Sequence, residues 1–223
     1  GMLAARAAYL AGFAGTATVL AGQRYGIPVF GTMAHSYIEA HASESDAFLQ
    51  FALSQPQNLT WLIDTYDTEA AAAKVVALAP QLHARGIKLN SVRIDSGDLA
   101  GHARQVRSIL DAGGLQEVRI FASGNLDEVA IAHLLAERAP INGFGIGTKL
   151  TTSADMAYLD SAYKLCRPMP ANHGASARKA RQPGRVPSRF TGYSARTAVL
   201  PAIMSRWRRK YRPVIAGCHN SGT

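Results

Sequence analysis

Residues 90–99 read NSVRIDSGDL, an apolar run that ends in a cluster of acidic residues and glycine, and three other segments have the same form. They are LTWLIDTYDT (59–68), VRIFASGNLDE (118–128) and INGFGIGTKL (141–150). The marker residues Asp64, Asp95, Gly124 and Gly147 are separated by 31, 29 and 23 residues, about the length of a strand–loop–helix unit. This repetition predicts an α/β fold with a parallel sheet.

The stretches between these segments have the periodicity of helices. Helices are predicted over residues 3–22, 43–53, 68–85, 99–112 and 128–138, and a short strand over 27–30. The predicted helix caps are Ser43 or Ser45, Asp67, Asp98 and Asp127, and Gly86 is expected to end the third helix. About five strands are visible, whereas a closed β/α barrel has eight. The sheet is therefore either open or part of a larger, partial barrel.

Charge is distributed unevenly along the chain of 223 residues. Residues 1–160 hold 11 of the 24 Lys and Arg and all 15 Asp and Glu, which gives −4, whereas residues 161–223 hold 13 basic and no acidic residues, which gives +13. We therefore expect an acidic, folded α/β domain joined to a basic, disordered tail, and the motif match described below gives their bounds as residues 1–165 and 166–223. The two cysteines define no disulfide framework, and no apolar run is long enough to span a bilayer, so a reducing cytoplasm fits.

The sharpest chemical motif is RIDSGD, at residues 93–98. In parallel β/α folds, the carboxyl ends of the strands meet at one face, where active sites are built. The carboxylate of Asp95 could accept hydrogen bonds from both hydroxyls of a ribose, and Arg93 could face a planar or anionic group. Alternatively, Asp95 and Asp98 are ordinary turn and cap residues.

Glycines follow two other predicted strands. Gly145 and Gly147 could let backbone N–H groups approach a phosphate, with Thr148 adding a hydroxyl, or they could simply form a tight turn. The amide of Asn125 could likewise meet a ligand, whereas DTYDT (64–68) is ambiguous because Asp67 and Thr68 make an ordinary cap.

Histidines give weaker signals. His35 lies just past the predicted strand at 27–30, where a histidine is either structural or catalytic. The other six histidines show no metal-ligand spacing, so no metal site is predicted from this chain's residues.

Taken together and in this order, GTMAHS (31–36) and the four repeated segments resemble the nicotinate phosphoribosyltransferase family. The resemblance runs from Gly1 to about Leu165 and implies an irregular, TIM-like α/β barrel of the type II phosphoribosyltransferase kind. The family condenses nicotinate with phosphoribosyl pyrophosphate, forms nicotinate mononucleotide and pyrophosphate, and hydrolyses ATP. The resemblance therefore implies a cytoplasmic enzyme of NAD biosynthesis that works as a homodimer, with Mg²⁺ accompanying the pyrophosphate.

The resemblance also implies roles for individual residues of the first two motifs. His35 matches the histidine that ATP phosphorylates, and Ser36 is its neighbour. Arg93 matches the arginine beside the pyridine ring, and Asp95 matches the carboxylate that binds the ribose. His35, Arg93 and Asp95 are therefore the expected catalytic residues.

The later motifs match the binding of the phosphoribosyl group. Gly124 and Asn125 match the strand end at the ribose, and Gly145, Gly147 and Thr148 match the cradle of the 5′-phosphate. These assignments agree with the roles that the residues themselves suggest.

Two departures from the family pattern stand out. A complete member carries a long stretch before AARAAYLAGF, so this chain is expected to be a fragment with little activity alone. After AYKL (162–165), the family would continue with a segment containing GKATWPG and KQVYR, which a frame shift of two nucleotides can recover from residues 174–192. We therefore interpret residues 166–223 as a frameshifted tail.

Two alternatives to this interpretation remain open. The first is a nucleic-acid-binding protein, because RWRRKYR (206–212) interleaves aromatic residues with cations. The second is an enzyme similar to nicotinamide phosphoribosyltransferase, which shares the barrel but has a different sequence at the position of GTMAHSYI.

Overall fold

The computed structural model describes residues 1–152, and the predictions for the tail at 166–223 lie outside these residues. Four strands form one parallel sheet in the order β1-β2-β3-β4. They are β1 (Leu59–Leu62), β2 (Leu89–Ile94), β3 (Arg119–Ala122) and β4 (Gly143–Phe144). The α/β class with a parallel sheet is therefore confirmed, while closure of a barrel stays a prediction.

Helices precede the sheet and connect its strands. They are α1 (Met2–Leu10), α2 (Val19–Tyr25), α3 (His35–Glu39), α4 (Glu44–Ser54), α5 (Thr68–His83), α6 (Leu99–Ala112), α7 (Glu128–Ala136) and α8 (Thr148–Thr151). Because α5, α6 and α7 each join two neighbouring parallel strands, all four strands end at the same edge of the sheet.

The predicted helix caps are confirmed, with Ser43 capping α4 instead of Ser45. The side chains of Ser43, Asp67, Asp98 and Asp127 each accept a hydrogen bond from the backbone N–H three residues later, at 2.7–3.1 Å. Such caps satisfy N–H groups that have no partner within the helix. Past the end of α5, Gly86 has a φ of +67°, as expected for a glycine that ends a helix.

The single helix predicted over residues 3–22 is wrong, because α1 ends at Leu10 and α2 begins at Val19. Between them the chain turns at Gly12, whose φ is +104°, and Thr16 then pairs with Val29 as an isolated parallel bridge. The strand predicted over 27–30 is reduced to this one bridge.

A close approach of two segments explains the break. The N–H of Thr16 donates to the carbonyl oxygen of Pro28, and the N–H of Phe30 donates to the carbonyl oxygen of Thr16, both at 3.0 Å. A Cβ at Gly15 would overlap the same Pro28 oxygen, so this approach requires glycine. A pairing between residues so far apart in sequence leaves no trace in the local apolar period.

The core lies between the sheet, α5, α6 and the preceding helices. Trp61 of β1 is fully buried, and its ring stacks on Phe48 of α4 with the centroids 5.0 Å apart. The indole N–H of Trp61 donates to the carbonyl oxygen of Phe48 at 3.0 Å, which satisfies the one polar group of that ring. Burying an aromatic side chain of this size contributes about 3 kcal/mol to stability. This contact fixes α4 against the edge of the sheet.

Exposed apolar side chains are concentrated in the first 30 residues. The side chains of Leu3, Leu10 and Val19 are each about two thirds exposed or more, and Phe30 is 54% exposed. No helix in the described part of the chain is both long and apolar enough to cross a membrane.

Candidate active site

Arg93, near the end of β2, joins three parts of the chain through its guanidinium group. Its Nε donates to Oγ of Ser123 at 2.6 Å, its Nη1 donates to Oγ1 of Thr32 at 2.9 Å, and its Nη2 pairs with the carboxylate of Asp95. The planar fork of arginine suits three acceptors in different directions. The guanidinium is thereby held between the end of β3, the loop before α3 and the turn after β2.

Asp95, the first residue after β2, is the centre of the cluster. Its Oδ1 accepts hydrogen bonds from Arg93 and from Oγ of Ser123, the latter at 2.5 Å, and its Oδ2 lies 3.7 Å from Nε2 of His35. Burial by itself raises the pKa of Asp95, but the nearby His35, the hydrogen bond from Ser123 and the charge of Arg93 outweigh it. The pKa of Asp95 is therefore held well below its usual range, and the group is a carboxylate at neutral pH.

His35 begins α3 and lies between Thr65 and Asp95. Its Nδ1 is 3.0 Å from Oγ1 of the fully buried Thr65, which fixes the plane of the ring. Its Nε2 is the nitrogen that faces Asp95, and the side chain is 29% exposed, so a ligand can reach it. Ser36 is exposed and makes no hydrogen bond through its side chain within the described residues, so only His35 of this pair belongs to the cluster.

Gly124 lies against the backbone of Asp95. Its φ is +92°, and a Cβ there would overlap the carbonyl oxygen of Asp95. The next residue, Asn125, also has a positive φ, +55°, which asparagine tolerates better than most residues. The turn after β3 therefore packs directly on the turn after β2, and only glycine allows this distance.

The turn after β4 lies beside Ser123. A Cβ at Gly145 would be 3.2 Å from Cβ of Ser123, whereas none of the described heavy atoms lies within 4 Å of a Cβ built at Gly147. The N–H of Gly145 already donates to the carbonyl oxygen of Ala122 at 2.8 Å, so a phosphate here would have to use other groups of the turn. Gly147 precedes α8, a helix of four residues that begins at Thr148.

Three hydroxyl residues of this cluster were not among the residues chosen from the sequence. They are Thr32, Thr65 and Ser123, which contact Arg93, His35 and Asp95. They lie in GTMAHS (31–36), LTWLIDTYDT (59–68) and VRIFASGNLDE (118–128), each at or just after the end of a predicted strand, and that position was the available signal. The functional assignments of His35, Ser36, Arg93, Asp95, Gly124, Asn125, Gly145, Gly147 and Thr148 stay predictions.

The described residues contain no group of three or more His, Cys, Asp or Glu side chains that could hold a metal ion. The carboxylate that faces the cluster, Asp95, is already paired with Arg93. A dedicated Mg²⁺ site made by these residues alone therefore does not fit the arrangement, whereas Mg²⁺ carried on substrate phosphates needs only one or two protein ligands.

Comparisons with known proteins identify the family of the chain. The model of the nicotinate phosphoribosyltransferase (NAPRTase) family matches residues 2–176, slightly beyond the end expected from the motifs. The nicotinate phosphoribosyltransferase pncB2 of Mycobacterium tuberculosis is 51% identical over 161 residues, which are 72% of this chain and 34% of the relative. The Bacillus subtilis nicotinate phosphoribosyltransferase is 39% identical over 165 residues, which are 74% of this chain and 33% of that relative.

A solved structure of an enzyme of the same name shares the fold of this chain. The crystal structure of human nicotinic acid phosphoribosyltransferase superposes with a TM-score of 0.57 and 28% identity over 63% of this chain and 39% of that one. The matched proteins are phosphoribosyltransferases by name. The chain belongs to the nicotinate phosphoribosyltransferase family, as its motifs predicted. It spans about a third of the length of the two bacterial relatives.

Proposed function

We propose that the chain supplies the phosphoribosyl-binding and histidine-bearing part of an enzyme that converts nicotinate and phosphoribosyl pyrophosphate to nicotinate mononucleotide and pyrophosphate. The observation that carries the proposal is the cluster of Asp95, Arg93 and His35 at the carboxyl edge of the sheet. Membership of the family supports it.

Asp95 is suited to bind the ribose. Its lowered pKa keeps it ionised, and a carboxylate can accept hydrogen bonds from two adjacent hydroxyls. Arg93 and Ser123 hold Oδ1, which leaves Oδ2, on the side of His35, for a ligand. The same arginine places a fixed positive charge where the carboxylate of nicotinate or a phosphate can approach.

His35 is the proposed acceptor of the γ-phosphoryl group of ATP. A ring nitrogen uses its lone pair to form the N–P bond, the bond from phosphorus to the bridging oxygen breaks, and ADP leaves with that electron pair. Hydrolysis of the labile phosphohistidine then helps drive the condensation. Thr65 and Asp95 hold the ring on both sides, so that the histidine is oriented before ATP arrives. ATP is a co-substrate here, and Mg²⁺ would arrive on the phosphates.

The parent enzyme is proposed to be a cytoplasmic homodimer, and this chain alone is proposed to have little turnover. The chain covers 34% of its Mycobacterium tuberculosis relative, and Leu3, Leu10 and Val19 expose apolar surface that a partner such as a second copy of the chain could cover. Synthesis of nicotinate mononucleotide by the purified chain, lost on Asp95→Asn, would contradict the low turnover.

Binding of phosphoribosyl pyrophosphate tests the proposal directly. Isothermal titration calorimetry should show weak binding that Asp95→Asn weakens at least about tenfold, because the neutral amide loses a charge-assisted acceptor. Asp98→Asn is the matched control: it makes the same change three residues later, at the exposed cap of α6, which asparagine also caps. Equal affinity of the wild type and Asp95→Asn would refute the assignment of the ribose site.

Labelling by ATP carrying a radioactive γ-phosphate tests the role of His35. The label should be stable to alkali and labile to acid, and it should be lost in His35→Asn. His41→Asn is the control, because His41 lies just past the end of α3, where its Nδ1 donates to the carbonyl oxygen of Tyr37 at 2.7 Å and its ring packs on that of Tyr37. Label that persists in His35→Asn would exclude His35 as the acceptor.

A further inference from the structure

Asp64, the second residue after β1, is a buried acidic residue that the proposed chemistry does not use. It is only 7% exposed. Its Oδ2 accepts hydrogen bonds from the backbone N–H of Asp95 at 3.1 Å and from Oγ of Ser96 at 2.5 Å. Its Oδ1 is buried and has no hydrogen-bond partner among the described residues. Both contacts of this carboxylate are therefore made to the turn that carries Asp95.

The backbone pairing of β1 and β2 explains why a side chain is needed here. Just past the end of β1, the last backbone hydrogen bond between the two segments runs from the N–H of Ile63 to the carbonyl oxygen of Arg93, at 3.0 Å. The N–H of Asp95 then donates to the side chain of Asp64 and not to a backbone carbonyl. A buried N–H without an acceptor is costly, and a carboxylate is a strong acceptor. Asp64 therefore ends the ladder and starts the turn at a fixed position.

The other side of the Asp95 backbone is also fixed. Its carbonyl group lies against Gly124, where a Cβ would be 2.7 Å from the carbonyl carbon. The peptide groups of Asp95 are thus held by the loop after β1 on one side and by the loop after β3 on the other. The direction of its carboxylate toward Arg93, Ser123 and His35 follows from this backbone position.

We infer that Asp64 is a positioning residue: it holds the N–H of Asp95 and the hydroxyl of Ser96 so that the Asp95 carboxylate meets its partners and the ligand. The inference rests on the proposed function only in that Asp95 is the ligand-binding group. A misplacement of such a group by about 1 Å can reduce its contribution on the order of a hundredfold.

Amide hydrogen exchange tests the position without any ligand. In the full chain labelled with ¹⁵N, the amide of Asp95 should be protected, and Asp64→Ala should accelerate its exchange at least about tenfold relative to the core amides of β2. Asp67→Ala is the matched control, because it removes a carboxylate from the same loop but its side chain caps α5. Equal exchange of the Asp95 amide in Asp64→Ala and Asp67→Ala would overturn the inference.

Affinity for phosphoribosyl pyrophosphate tests the consequence. Asp64→Ala should weaken binding about tenfold or more, whereas Asp64→Asn and Asp67→Ala should stay within about threefold of the wild type, since the asparagine oxygen can still accept both donors. Asp64→Asn as weak as Asp64→Ala would overturn the inference in favour of direct contact between Asp64 and the ligand.

The outcomes separate this inference from the proposed function. If the wild type and Asp95→Asn bind equally, the proposed function fails, and the exchange experiment alone decides the role of Asp64. If Asp95→Asn loses binding and Asp64→Ala keeps it, the positioning role is wrong. Should Asp64→Ala fail to fold, Ser96→Ala removes one of the two donors from an exposed position and should accelerate exchange at Asp95 by about threefold. Unchanged exchange in Ser96→Ala would then contradict the inference.

Discussion

Replacing Gly124 with alanine should destabilise the chain strongly, because the new methyl group would collide with the backbone of Asp95. The added Cβ would lie 2.7 Å from the carbonyl carbon of Asp95, whereas carbon atoms in good contact are about 3.5–4.0 Å apart. The φ of +92° adds strain of about 1–3 kcal/mol, and the overlap adds about 1–3 kcal/mol more. We therefore expect the free energy of unfolding to fall by about 2–6 kcal/mol.

Urea denaturation followed by circular dichroism measures this loss. Gly86→Ala is the control, because Gly86 has a φ of +67° but no described heavy atom lies within 4 Å of a Cβ built there. It should cost only the backbone strain, about 1–2 kcal/mol. The difference between the two variants isolates the collision with Asp95. If Gly124→Ala costs no more than Gly86→Ala, the two loops do not approach each other as closely as the structure shows.

Three further predictions concern Arg93, Asp95 and the tail. Arg93→Lys should lower the free energy of unfolding by about 1–3 kcal/mol, because one ammonium group cannot replace the N–H groups aimed at Thr32, Ser123 and Asp95; an unchanged urea midpoint would contradict this. Folding lowers the pKa of Asp95 from its ordinary value of 3.8. Its carboxylate therefore makes its full contribution to stability when the pH is well above 3.8, and this contribution is lost as the pH falls below that value. Thermal melts should therefore depend less on pH in that acidic range for Asp95→Asn, and equal slopes would argue against it. The DNA across codons 155–212 should encode GKATWPG and KQVYR in another frame; if no frame does, the basic tail is genuine and nucleic acid becomes a partner to test.

Local rules predicted much of the fold. The caps at Ser43, Asp67, Asp98 and Asp127 could be predicted because capping is local: a short polar side chain just before a helix accepts a hydrogen bond from the N–H group three residues later. The helix over 3–22 failed because its break depends on contacts between residues 15–16 and 28–30, which no local period records.

The sequence indicated the charged residues and the glycine turns that the structure brings together, but not the hydroxyl side chains that contact them. Arg93, Asp95 and His35 were predicted because RIDSGD and GTMAHS follow predicted strands and resemble the family motifs. Thr65 and Ser123 could not be predicted, because hydroxyl residues are frequent in turns, and only the structure shows which of them face the cluster. The same holds for Asp64, whose partners lie on the next strand.

The helix caps have a consequence for how such a protein can change over time. In the three loops after β1, β2 and β3, a residue at the cluster (Asp64, Asp95 or Gly124) is followed three positions later by an aspartate that starts the next helix. Within each loop, the residue that meets the cluster and the residue that begins the helix are therefore separate. A change of the side chain at Asp95 therefore leaves the cap of α6 at Asp98 unchanged, whereas at Gly124 the backbone of Asp95 allows no added side chain, so the three loops differ in how freely the residue at the cluster can be replaced.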